Sequence, residues 1–288
     1  MGRGGAATEA RAAIAAVCDA LPGGALEDVA GKQSVPFLRY GDVYQFGVAR
    51  GWSLGRLVDI FDVHTKGEPD TPVWGFDTFT GMPEETPGHP TISIWSKGHF
   101  SPGGPAANAS LGRALGGRVE WVIGDYEQTL VPSLRTTRGM EKARYVDIDC
   151  DLYRSAHRAL HWLFASGLVG TGTVIGYDDF WDLPCSARGP TNASARHPLE
   201  SGEGRAHAEM TKRFGVHFRC ICGPCQSMST ETLRLQTSWR TYFVVESVGW
   251  PLSNHGFAMP YWQHAQFLEE NVRCRRNFRN WQTYPAKG

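Results

Sequence analysis

Val43-Tyr44-Gln45-Phe46-Gly47-Val48-Ala49-Arg50-Gly51-Trp52-Ser53 is the stretch on which the fold turns. Its first six residues read as a buried strand. A turn bracketed by Gly47 and Gly51 follows. Leu54, Leu57, Val58 and Phe61 then recur at i, i+3, i+4 and i+7, the apolar stripe of a helix. Two glycines four apart allow a tight turn and a close approach of backbone to a ligand. The spacing is not the G-x-G-x-x-G of dinucleotide folds, which sets a nicotinamide dehydrogenase aside.

The strand-and-helix pattern repeats outward from this unit. Val73–Phe76, Val119–Ile123, Arg144–Asp149 and Gly172–Tyr177 read as further short strands. Leu152, Ala156, Ala159, Leu160, Leu163 and Phe164 form a second helical stripe. A helix over 204–214 and strands over 216–221 and 241–248 complete the series. Short apolar strands alternating with helices predict an α/β fold: a Rossmann-like, mostly parallel sheet with helices on both faces. The domain spans 41–250, preceded by a helical extension over 1–40 with its helix at 8–21, and followed by an aromatic-rich tail over 251–288. A long Pro-, Ser- and Gly-rich stretch, 181–203, reads as a lid.

Composition narrows the function. The 288 residues carry 29 Lys+Arg and 29 Asp+Glu, which argues against nucleic acid or an anionic membrane as the main partner. No apolar run is long enough to span a bilayer. Seven cysteines, an odd count, together with a start lacking a signal-peptide pattern, lead to the expectation of a reduced, cytoplasmic setting. The aromatic tail makes a homodimer unsurprising.

Carboxylates mark one end of the predicted sheet. In such sheets ligands bind at the carboxyl ends of the strands. Asp77 ends the second strand where a ribose hydroxyl pair would bind, and Gly124-Asp125 ends the third, suited to an adenine rim. Both acids also stand where helix caps belong. Asp149 and Asp151 end the fourth strand, and Asp178 and Asp179 the fifth. Four carboxylates at one rim repel, and a divalent cation relieves that; oxygen-only ligands suit Mg²⁺. The alternative is local capping by Asp151 and Asp179.

Five ordered motifs carry a resemblance: 43–51, Gly75-Phe76-Asp77-Thr78-Phe79-Thr80-Gly81-Met82-Pro83-Glu84, Gly124-Asp125-Tyr126-Glu127-Gln128-Thr129-Leu130, Asp149-Cys150-Asp151-Leu152-Tyr153-Arg154-Ser155 and Tyr177-Asp178-Asp179-Phe180. Together they resemble the macrocin O-methyltransferase family of class I S-adenosylmethionine-dependent enzymes. The resemblance implies a seven-stranded sheet with the last strand antiparallel. It implies that the loop with Gln45, Gly47, Gly51 and Ser53 holds the methionine part of the cofactor, with Asp77 at the ribose and Gly124-Asp125 at the adenine. It places Mg²⁺ on Asp149, Asp178 and Asp179, and makes Asp151 the general base. His157, one turn further along the helix, is a second candidate by position, the alternative being a surface histidine without a role. Many relatives carry Glu at the position of Gln45. The implied activity is O-methylation of a small hydroxylated acceptor, such as a sugar or natural product. The competing readings are a metal-independent N- or C-methyltransferase and a binding protein that keeps the fold without catalysis.

Other signals read more simply. Cys220, Cys222 and Cys225 around a Gly-Pro turn read as free thiols rather than a redox pair or a Zn²⁺ site. Arg273, Arg275, Arg276 and Arg279 read as a solvated face.

Overall fold

The computed structural model describes residues 12–17, 37–64, 71–89, 95–115, 117–180, 202–222 and 240–249. The bulk of the expected lid, Cys225, the arginine run and the tail lie outside the described residues. Within them run α1 (12–17), β1 (Asp42–Phe46), α2 (Trp52–His64), β2 (Val73–Asp77), α3 (Pro105–Ala114), β3 (Val119–Ile123), α4 (Tyr126–Thr129), α5 (Leu134–Arg138), β4 (Ala143–Ile148), α6 (Tyr153–Ala165), β5 (Val174–Tyr177), α7 (Gly202–Phe214), β6 (His217–Cys222) and β7 (Thr241–Ser247).

The seven strands form one sheet in the order β3-β2-β1-β4-β5-β7-β6. β7 runs antiparallel to both its neighbours, and the other observed pairings are parallel. Strand alternation divides the core into two layers. Tyr44, Phe46, Trp74, Phe76, Val146 and Ile148 face Ala156, Leu160 and Leu163 of α6 and Met210 of α7. Val43, Val73, Tyr145 and Val174 share the other layer with Leu54, Leu57, Val58 and Phe61 of α2. Ala13, Ile14 and Val17 of α1 are buried in that same layer, so α1 covers the sheet.

The strand order fixes where chemistry can sit. β1, β2, β4 and β5 all end on one rim, with the crossover between β1 and β4 dividing the two halves of the sheet. Because β7 is reversed, its first residue also lies at that rim: Thr241 pairs with Tyr177, the last residue of β5. Residues 202 and 203, read from sequence as the end of the lid, open α7 instead. Cys220 and Cys222 each take part in a disulfide, which corrects the reading of them as free thiols; Cys150 is free. Among the described residues no helix is long and apolar enough to cross a membrane.

Candidate active site

A cleft of about 550 Å³ opens over the rim. Its floor is Gly47, Asp77, Asp149, Asp151, Asp178 and Asp179, and Met82, Trp95, Phe100 and Trp52 supply apolar wall. Seven acids and three arginines line it, an excess of negative charge that favours a cationic ligand.

The glycine turn is shaped by its own chain. Gly47 has φ +88°, and a Cβ there would stand 1.7 Å from the Asp149 carbonyl oxygen. Only glycine lets β1 leave the sheet this close to β4. Asp77 braces the turn: one carboxylate oxygen accepts from the Val48 and Ala49 amides at 2.7 and 2.8 Å, and the other from Phe79 at 2.6 Å. Gln45 is fully buried beneath it. Its amide donates to the Gly47 carbonyl at 2.9 Å and to the Ser53 hydroxyl at 2.5 Å, and Ser53 donates to Asp149 at 3.2 Å. Asp125 caps α4 by accepting from the Glu127 amide at 2.8 Å while also lining the cleft. Thus Gly47, Asp77 and Asp125 face the cleft, Gln45 and Ser53 support it from below, and Gly51 and Gly124 are not among the lining residues.

The carboxylates meet as the sequence led us to expect, with three additions. Asp147 is fully buried one register step below Asp149 and accepts from Tyr145 at 2.8 Å. Glu203, also fully buried, reaches from the start of α7 and accepts from the Cys150, Asp151 and Asp179 amides, each at 3.2 Å. Arg240, immediately before β7, inserts its guanidinium among the acids. Its Nε contacts Asp178 Oδ1, Nη2 is 3.8 Å from Asp149 Oδ2, and Nη1 is 3.7 Å from Asp147 Oδ1.

Burial sets the protonation of this cluster. It pushes Asp147 up to about 6 against the pull of Arg240, and Asp151 up to about 8 although Asp179 hydrogen-bonds its carboxyl. Burial and the neighbouring Asp178 hold Asp149 well above the carboxylate range, and burial with Asp179 does the same to Glu203. Asp151 itself is held at φ +60°, a backbone conformation uncommon for a non-glycine residue and often found at functional sites.

The Mg²⁺ expected on Asp149, Asp178 and Asp179 does not fit this arrangement. Octahedral Mg²⁺ needs oxygens converging at about 2.1 Å. Here Asp178 and Asp149 face the Arg240 guanidinium, and Asp179 turns to Asp151. Among the described residues no group of three or more His, Cys, Asp or Glu is placed to hold a metal ion. His157 is not brought to the cleft either. It lies with Tyr153 and His161 on the side of α6 that meets α7, its Nε2 3.6 Å from Glu209. The i, i+4 pair that does face the cleft is Arg154 and Arg158, rotated one residue around the helix.

No family model matches the chain, and no curated protein matches it. Among solved structures, the calicheamicin methyltransferase CalS11 aligns with a TM-score of 0.51 at 20% identity, over 71% of this chain and 72% of that chain. The O-methyltransferase NovP aligns with a TM-score of 0.49 at 16% identity, over 82% of this chain and 77% of that chain. The fold is that of the class I S-adenosylmethionine-dependent methyltransferases, the class that the five motifs resemble.

Proposed function

We propose that this protein transfers the methyl group of S-adenosylmethionine to a hydroxyl oxygen of a small acceptor. The observation that carries the reading is the acid-rich cleft over the ends of β1, β2, β4 and β5, in a methyltransferase fold. Its donor set suits a cationic adenosine ligand. Asp77 would hold the ribose, Asp125 the adenine side, and the Gly47 turn the methionine part. Bound there, the cofactor supplies a methyl group on a positively charged sulfur. The surrounding acids attract that charge and lose part of their hold once it is gone, so the same residues favour release of the product. Asp151, at the cleft floor beside Asp179, accepts the acceptor's proton in its ionised form as oxygen bonds carbon. Met82, Trp95, Phe100 and Trp52 offer the acceptor an apolar wall, and a small hydroxylated molecule such as a sugar-bearing natural product meets these requirements better than nucleic acid.

Thermal unfolding with S-adenosylhomocysteine, using NAD as control, tests the cofactor. A ligand at a hundred times its Kd adds about 2.7 kcal/mol, a shift of a few degrees. S-adenosylhomocysteine is expected to give that shift and NAD none; no shift at saturation overturns the reading. Asp151→Asn is then expected to keep the shift and lose methyl transfer to hydroxylated acceptors by at least about a hundredfold.

A further inference from the structure

The strand polarity brings a permanent cation to the place where a divalent ion would sit. β4 and β5 run parallel and deliver Asp147, Asp149 and Asp178 to the rim. β7 runs the other way, so the residue that precedes it arrives at the same rim from the opposite direction. That residue is Arg240, and its side chain is only 9% exposed. Its three nitrogens are shared out among three carboxylates: Nε to Asp178, Nη2 to Asp149 and Nη1 to Asp147. A guanidinium is planar, always charged and forked, which suits it to several carboxylates at once.

The geometry points to Arg240 as the built-in counter-cation of this site, replacing a divalent metal, so that the chain binds its cofactor and acceptor without one. Three observations support this. The acids where a metal would sit, Asp149 and Asp178, already face a cation that cannot be chelated away. A doubly charged ion bound by Asp149 and Asp178 would lie beside the guanidinium, and like charges at such separations repel strongly in a partly buried site. And Asp147, fully buried below the rim, has Arg240 as its cationic partner, so the arginine cannot swing out without leaving a buried acid uncompensated. Arg240 is thus a positioning residue: it fixes the Asp149 and Asp178 carboxylates at the cleft floor. The inference takes the site from the proposed function, but its test needs no methyl transfer.

The test is titration of Mn²⁺ into the full chain, with and without S-adenosylhomocysteine, following free Mn²⁺ by electron paramagnetic resonance. The wild-type chain is expected to leave the free-ion signal as it is in buffer. Arg240→Met is expected to deplete it in a 1:1 ratio, with affinity at least about a hundredfold above wild type. Arg240→Lys, which keeps the charge, is expected to behave as wild type. Should Arg240→Met fail to fold, the paired variant Asp147→Asn/Arg240→Met removes the buried acid along with the arginine and leaves Asp149, Asp178 and Asp179 to bind Mn²⁺. Stoichiometric depletion by the wild-type chain, abolished by Asp178→Asn, overturns the inference. So does a folded Arg240→Met or paired variant that gains no Mn²⁺ binding. The S-adenosylhomocysteine thermal shift is read on the same samples, so loss of the cofactor reading and loss of the arginine reading appear as separate results.

Discussion

Gln45 shows how far a single side chain reaches. Its amide feeds a hydrogen-bond chain that ends on Asp149, and a carboxylate at the same position would reverse the first link and add a charge to an already acidic floor. Gln45→Glu is therefore expected to destabilise the chain by about 1–3 kcal/mol, as measured by urea unfolding at neutral pH. Gly47→Ala is expected to cost more, because both the left-handed backbone and the Asp149 carbonyl oppose a Cβ. The acids at strand ends were legible in the sequence, since an Asp following an apolar run announces itself. Asp147 carried a signal too, an acid inside the apolar run Tyr145–Ile148, alternating with Asp149 and Asp151. Glu203 and Arg240 carried none. The amides that Glu203 binds and the acids that Arg240 meets lie at least 24 residues away, and nothing local marks either side chain as buried. His157 was assigned to the site by its position one turn beyond the rim, but helix phase turns it towards Glu209 and hands the cleft to Arg154 and Arg158.

At the level of elements, strands were easier to read than short helices. β3 has the bounds its apolar run predicts, and the other strands fall within two residues of theirs. α3 escaped notice because Leu111 is its one large apolar side chain and gives no stripe. α4 and α5, of four and five residues, are too short to show a period. The contact between α7 and the strand ends is the element-level feature with the clearest consequence. Glu203 gathers amides from the turns after β4 and β5, so Glu203→Ala leaves three half-buried donors without their acceptor. A loss of about 3 kcal/mol or more is expected. Hydrogen–deuterium exchange should locate it, with the amides of Cys150, Asp151 and Asp179 exchanging faster than in wild type. Unchanged protection at those three would show that the clamp is dispensable.

Over the whole molecule, alternation identified a parallel sheet and the motif resemblance implied the reversed strand, but the chain's periodicity could not say where that strand would lie. β7 is inserted between β5 and β6, a pairing fixed by tertiary contact alone. This insertion packs His207 of α7 under the sheet against Phe180, Phe218 and Phe243, with Tyr177 Oη 2.8 Å from its Nδ1. Burial lowers its pKa to about 3, against about 6.5 in an unfolded chain. As pH falls below 6.5 the unfolded chain gains a proton that the folded chain refuses. The stability held above that pH is therefore lost progressively towards pH 3. The difference in unfolding free energy between wild type and His207→Gln is expected to fall by up to about 1.4 kcal/mol per pH unit across that window. A difference that stays flat with pH would place the protonation elsewhere.

The compensation of the rim also follows the order in which the chain is made. β4 and β5 emerge from the ribosome carrying Asp147, Asp149 and Asp178, while Glu203 and Arg240 are encoded 25 and 62 residues after Asp178. A nascent chain that has just released β5 thus holds the acids without the clamp or the cation that reconciles them. The rim can close only after residue 240 has been added, so the strands already made must wait for a late arginine before their acidic floor becomes a site.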